Sequence, residues 1–185
     1  MAGGSHDLLG RSRDGDRAAL TELVEEMGPR LKGFFLRLGA QTSTAEDLTQ
    51  DVFLRVLNSM DRYQESGRLD AYLLRIARNL WIDSRRRHRP VPAGEAVQDA
   101  PDELQPGPLA AAEERDRAAL LREALAQCDP EARELLELAV LQRLPYAEVG
   151  VILDIPVGTV KSRVHYALKR LQERVAGLDP RGGGA

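Results

Sequence analysis

Seven side chains near the C-terminus could do chemistry on a nucleic acid: Thr159, Lys161, Ser162, Arg163, Tyr166, Lys169 and Arg170. Hydroxyls and guanidinium groups offer donors and acceptors to base edges, and cations pair with phosphates. Helical spacing sorts them. At about 100° per residue, Val160, Val164, Leu168, Leu171 and Val175 fall on one face, and Thr159, Ser162, Arg163, Tyr166, Lys169 and Arg170 fall opposite. A solvated amphipathic helix with a charged outer face fits the same spacing, so the pattern alone leaves both readings open.

The elements that would position this helix lie just before it. Tyr146 to Leu153 is a second short apolar-periodic run. Asp154-Ile155-Pro156 interrupts it, because a proline disfavours helical geometry in the residue before it. Two short helices joined by a tight turn, the second presenting polar groups early, make a helix-turn-helix. Further upstream, Asp129-Pro130-Glu131 reads as an N-cap, a proline at the first helical position and a first-turn acid. A helix from there to about Leu141 follows.

The run from Asp129 to Glu173 resembles the promoter-reading C-terminal domain of sigma-70 family factors, and looks closest to the extracytoplasmic-function (ECF) group. The matching words are Tyr146-Ala147-Glu148-Val149 and Ile155-Pro156-Val157-Gly158-Thr159-Val160-Lys161-Ser162-Arg163. The resemblance implies that the seven side chains above contact the minus-35 promoter element. Three residues depart from the family pattern. Pro145 stands where a Ser or Thr often caps a helix. Gly150 replaces the more usual Ala, at roughly 1 kcal/mol of helix propensity. Asp154 sits where the turn often has Gly, and tolerates a left-handed backbone less freely.

Two earlier segments carry candidate surfaces. Ser43-Thr44-Ala45-Glu46 fits a capping box that would start a helix from Ala45 to about Leu57. Its apolar face would be Leu48, Val52, Val56 and Leu57, with Asp47, Gln50, Asp51, Leu54 and Asn58 opposite. A leucine centred in an acidic face suits docking, though lone exposed leucines are common and spacing alone favours that plainer reading. The word Ala45 to Val56 resembles the sigma helix that binds the clamp helices of the polymerase β′ subunit. That resemblance implies core-polymerase contacts at Asp47, Gln50, Asp51, Leu54 and Arg55.

The second segment, a long helix from Leu69 to about Arg87, has a core stripe of Leu69, Tyr72, Leu73, Ile76 and Leu80. Arg75, Arg78, Arg85 and Arg86 lie on the other side, flanked by Leu74, Trp81 and Ile82. Cations interleaved with an indole suit single-stranded nucleic acid, through phosphate pairing and base stacking. Trp81 packed against a neighbouring helix, with solvated arginines, fits the same residues. The word Leu69 to Arg87 resembles the sigma segment that melts and reads the minus-10 element, although Tyr72 stands where Trp or Phe is commoner. The resemblance implies minus-10 contacts at Arg75, Arg78, Asn79, Trp81, Arg85 and Arg86. It also implies that the loop Asn58 to Arg68, with Tyr63, holds a flipped base near the Asn79 amide.

Composition bounds the rest. The chain has 185 residues, 4% aromatics and a formal charge of −3. That charge argues against an indiscriminate free-standing DNA binder. The charges are segregated: Arg75 to Arg89 holds six arginines and one acid, whereas residues 91–116 hold seven acids and one arginine. Such asymmetry suits a protein that touches DNA once a partner positions it. The single cysteine, Cys128, excludes an internal disulfide, and His6, His88 and His165 lack metal-ligand spacing. No segment reads as a membrane span or signal core, which makes the cytoplasm the expected location. No metal, cofactor or small-molecule substrate is expected. There is no phosphate loop and no nucleophile paired with histidine, so no enzyme is expected either.

The expected fold is all-α, with two small helical domains. Residues 1–89 would form an N-terminal helical bundle like sigma region 2. Residues 90–112, with prolines at 90, 92, 101, 106 and 108, would form a flexible acidic linker. Residues 113–178 would form the helix-turn-helix domain like sigma region 4, followed by a disordered tail at 179–185. Within the bundle, a helix from Asp16 to Leu38 should break or kink at Gly28-Pro29. The resemblance implies a sigma factor whose partners are promoter DNA and core RNA polymerase, through the β′ clamp helices and the β flap. Many family members also have an anti-sigma factor. A sigma mimic that sequesters an anti-sigma factor and a stand-alone repressor are the rival readings. The basic run and the intact Gly158 to Arg163 word count against the first; the net charge and the N-terminal block count against the second.

Overall fold

The computed structural model describes residues 8–60, 68–87 and 119–178. All regular elements among them are helices, grouped in two compact units. The first holds α1 (Leu8–Arg13), α2 (Arg17–Arg37), α3 (Thr42–Ser59) and α4 (Leu69–Arg87). The second holds α5 (119–126), α6 (Pro130–Leu136), α7 (Tyr146–Leu153) and α8 (Val157–Leu178).

In the first unit, Asp16 starts α2. Its Oδ1 accepts hydrogen bonds from the backbone N–H groups of Ala18 and Ala19, and Arg11 donates to Oδ2 at 2.7 Å. The Arg11 bond, with those from Ala19 and Ala18, holds the Asp16 carboxyl below its ordinary value. The helix then runs unbroken through Pro29, so of the break or kink expected at Gly28-Pro29 the break does not occur. Proline removes one N–H from the ladder, but Leu23, Met27, Leu31, Phe34 and Phe35 are all buried on either side of it. Each such burial contributes about 1.5–3 kcal/mol, and together they outweigh the local cost of proline.

Helix α3 also differs from expectation. It begins at Thr42 with Gln41 as N-cap and no side-chain cap bond, so the capping box does not form. The acid that would have closed that box, Glu46, instead accepts from Lys32 Nζ of α2 at 2.7 Å. At its other end α3 extends through Asn58 to Ser59, which shortens the expected loop. Ser59 Oγ hydrogen-bonds the Tyr72 hydroxyl at 3.0 Å and ties α3 to α4. Tyr72 and Ile76 are only half-buried, while Leu69, Leu73 and Leu80 reach the core as expected.

The second unit has its own core. Ala124, Leu125, Cys128, Leu136, Ala167 and Leu171 are buried together, with Leu121, Ala132, Leu168 and Val175 packed around them. Asp129 caps α6 as expected, accepting from Ala132 N–H at 2.9 Å, with Pro130 in the first turn. After Leu136 the helix widens into π-helical geometry over Glu137–Leu141, a change the periodicity did not show. Cys128 is buried, and its thiol donates to the Ala124 carbonyl. The expected linker at 90–112, the tail at 179–185, Tyr63, His6 and His88 lie outside the described residues.

Candidate nucleic-acid and polymerase interfaces

Helix α8 is oriented by the turn that precedes it. Asp154 adopts the left-handed conformation, φ 57° and ψ 48°, and its N–H bonds the Gly150 carbonyl. Ile155 N–H donates to the same oxygen at 3.0 Å, and Val160 N–H to Pro156 O at 3.0 Å as α8 begins. A glycine at 150 is required by this geometry. A β-carbon there would meet the Ile155 carbonyl oxygen at 2.8 Å. Pro145 gives α7 no side-chain cap, as its chemistry dictates.

The apolar stripe of α8 faces inward as the spacing predicts. Val160, Val164 and Leu171 are buried, and Leu168 and Val175 are partly so. On the outer side Lys161, Ser162, Arg163, Tyr166, Lys169 and Arg170 are exposed, Tyr166 at 65%. Thr159 is half-buried, so it is the least accessible of the seven. Ser162 Oγ donates back to Thr159 O at 3.1 Å, a bond that a base-edge acceptor would have to replace. One neighbour of this face is legible in the sequence only as a first-turn acid. Glu131 of α6 lies with Oε2 at 3.8 Å from Arg163 Nη1.

In the first unit, α4 carries its cations outward. Arg75, Asn79, Arg85 and Arg86 are exposed, while Arg78 and Trp81 are half-buried. The Arg85 guanidinium lies 5.9 Å from the Trp81 ring centroid, within cation–π range. Leu74 does not flank these groups as expected. It is fully buried, because α4 inserts a wide face formed by Ala71, Leu74, Ala77 and Ser84 as well as its leucine stripe.

Asp70 braces the start of α4. Burial is the largest single influence and opposes its charge, while the Arg68 fork, with Nε at 3.0 Å and Nη2 at 2.7 Å, favours it. The Ala71 N–H and Arg30, at 3.7 Å, add to the effect and hold the carboxyl below its ordinary value.

Helix α3 turns Asp47, Gln50, Asp51 and Arg55 to solvent around Leu54, which is 56% exposed. Leu57, expected in the core, is 37% exposed and extends this surface. Leu48, Val52 and Val56 form the buried side.

Among the described residues no cluster of His, Cys, Asp and Glu could hold a metal ion, and no helix is long and apolar enough to cross a membrane.

Two family descriptions match this architecture: Sigma-70 region 2 over residues 23–91 and Sigma-70, region 4 over residues 118–171. The ECF RNA polymerase sigma factor RpoE of Cereibacter sphaeroides is 32% identical, across 87% of this chain and 88% of its own. The chain belongs to the ECF sigma factors. A second such sigma factor, SigE of Mycolicibacterium smegmatis, is 34% identical across 88% of this chain, which spans 65% of SigE. The fold also matches the sigma factor RpoE solved in complex with the anti-sigma factor NepR from Bartonella quintana. The TM-score is 0.67 at 25% identity, covering 86% of this chain and 98% of that one. Sigma factors are non-catalytic transcription regulators, and this one directs transcription initiation.

Proposed function

We propose that this sigma factor binds core RNA polymerase through the α3 surface and reads its promoter with two separate faces. Asp47, Gln50, Asp51, Leu54 and Arg55 would contact the β′ clamp helices, and the second unit would engage the β flap. Arg75, Arg78, Asn79, Trp81, Arg85 and Arg86 of α4, with Tyr63, would melt and hold the minus-10 strand. Thr159, Lys161, Ser162, Arg163, Tyr166, Lys169 and Arg170 of α8 would dock in the minus-35 major groove. In this reading residues 1–89 and 113–178 are the two working domains, 90–112 is the tether and 179–185 is a tail. The protein works in the cytoplasm, and chemistry belongs to the polymerase. An anti-sigma factor, of the kind bound in the RpoE–NepR complex, is a further candidate partner.

The observation that carries this reading is the outer face of α8. Its polar and cationic groups are exposed directly after a tight left-handed turn, with its apolar stripe buried. The N-terminal end of α8 adds a partial positive charge where phosphates would sit. Binding energy spent on opened DNA shifts the promoter toward the melted state without any bond being made by the sigma factor.

Run-off transcription with purified bacterial core polymerase, with and without the protein, tests it on genomic fragments. Protein-dependent start sites that share two spaced upstream elements are expected. Core binding without initiation would point to a mimic, and duplex binding with neither would point to a repressor.

A further inference from the structure

We propose that Glu131 is a positioning residue for Arg163 and sharpens the choice of promoter over arbitrary duplex. This rests on the reading of α8 as the minus-35 helix. The carboxylate Oε2 of Glu131 lies 3.8 Å from Arg163 Nη1. Both ends of the pair are anchored. Glu131 sits in the first turn of α6, between the Asp129 cap and the buried Leu135 and Leu136. Arg163 precedes Val164, which is buried. Ala132 and Leu136 of α6 pack in one cluster with Ala167, Leu168 and Leu171 of α8. The spacing of the two backbone positions is thus set by a core.

The pair does little for folding, since its side chains are 52% and 86% exposed and such surface pairs are weak. Its effect falls on DNA. An unrestrained arginine on this face would pair with any phosphate, and phosphate pairing carries no sequence information. A carboxylate beside it neutralises part of the cation and so weakens its pull on phosphates. A guanidinium has five donors in a planar fork, so one contact at Nη1 leaves others for a base edge. Bidentate contact with a guanine edge depends on the fork's orientation, which phosphate pairing does not. Glu131 therefore disfavours indiscriminate contact more than it disfavours the matched one.

The test uses the full chain bound to core polymerase, with promoter fragments that carry the mapped minus-35 element or a scrambled one. Glu131→Gln keeps the side chain's size and removes its charge. It is expected to raise affinity for the scrambled fragment about three- to ten-fold, to steepen its salt dependence by about one unit of slope, and to raise promoter affinity less than about twofold. In an Arg163→Ala background the same change should alter neither affinity. An equal gain on both fragments, or a gain that persists without Arg163, overturns the proposal. No gain on the scrambled fragment also overturns it. An unchanged unfolding midpoint for Glu131→Gln separates the effect from damage to α6. Should Arg163→Ala alone leave promoter affinity unaltered, the minus-35 reading itself fails, a result distinct from the others.

Discussion

The carbonyl oxygen of Ile155 stands 2.8 Å from the point a β-carbon on Gly150 would occupy. The two residues are also joined by the Ile155 N–H to Gly150 carbonyl bond at 3.0 Å. A glycine inside α7 costs helix propensity, yet here it is what lets the chain turn back toward α8. Alanine would gain roughly 1 kcal/mol of propensity and meet a backbone oxygen that cannot swing aside. Overpacking of this kind costs typically about 1–3 kcal/mol. Gly150→Ala is therefore expected to lower the unfolding midpoint of the second unit and weaken minus-35 binding by shifting α8. Calorimetry would check this, and a variant more stable than the parent would refute the close approach.

Asp154 answers to the same turn in a different way. Its φ of 57° places an L-residue in the left-handed region. That conformation costs most residues about 1–2 kcal/mol, less for Asp, and essentially nothing for Gly. Asp154→Ala should destabilise by about 1 kcal/mol, and Asp154→Gly should match or exceed the parent by a few tenths. The order Gly, Asp, Ala in denaturant midpoint is the prediction, and equal midpoints for the glycine and alanine variants would remove backbone strain as the cause.

How far the residues announced this arrangement depends on the kind of signal. The α8 stripe was legible because Val160, Val164 and Leu171 repeat at the helical period, and a period survives into burial. Asp129-Pro130 was legible because a cap is a local bond. Signals that depend on a distant partner were not. Glu46 reads as a capping-box acid until Lys32 of α2 takes it. Pro29 reads as a break until the packing on either side holds the helix together. Leu74 reads as a flanking residue and Leu57 as a core one, because α4 buries a wider face than its leucine stripe and α3 a narrower one. At the candidate sites the residue types were legible and their surroundings were not. The Glu131 carboxylate beside Arg163 joins residues far apart in the chain.

Asp70 makes the first unit sensitive to acid. Its carboxyl is buried against the Arg68 fork and Arg30, and its pKa lies below the ordinary value of 3.8. A carboxyl depressed on folding stabilises the folded state fully above its unfolded pKa, and that contribution fades as pH falls through the lower folded value. Asp70→Asn should destabilise at pH 7 by about 1–3 kcal/mol, the scale of a hydrogen bond to a charged group. The gap between parent and variant should narrow as pH falls below the ordinary carboxylate value and through the lower folded one, where the parent carboxyl also protonates. Urea titrations at pH 7 and pH 3 read it directly. A gap that stays constant with pH would mean the amide disrupts packing and not charge.

Leu54 offers the sharpest separation of binding from folding. At 56% exposure it contributes little to the core, and Asp51 beside it is exposed as well. Surface substitutions away from caps and buried networks change stability by about 0.5 kcal/mol or less. A leucine that fills a partner's pocket, by contrast, loses its contact area entirely on truncation, and an adjacent carboxylate loses a pairing that steers association. Asp51→Ala with Leu54→Ala should leave the melting curve nearly unchanged and weaken association with core polymerase by at least about tenfold, or 1.4 kcal/mol. Duplex binding by α8 should persist, since that face belongs to the other unit. The Lys169→Ala variant supplies the converse: normal holoenzyme assembly, with a salt slope for promoter binding lowered by about one. Parallel fluorescence-anisotropy titrations with core enzyme and with promoter DNA would read both variants. Assembly at parental affinity in the α3 double variant would show that the exposed leucine is not the docking residue.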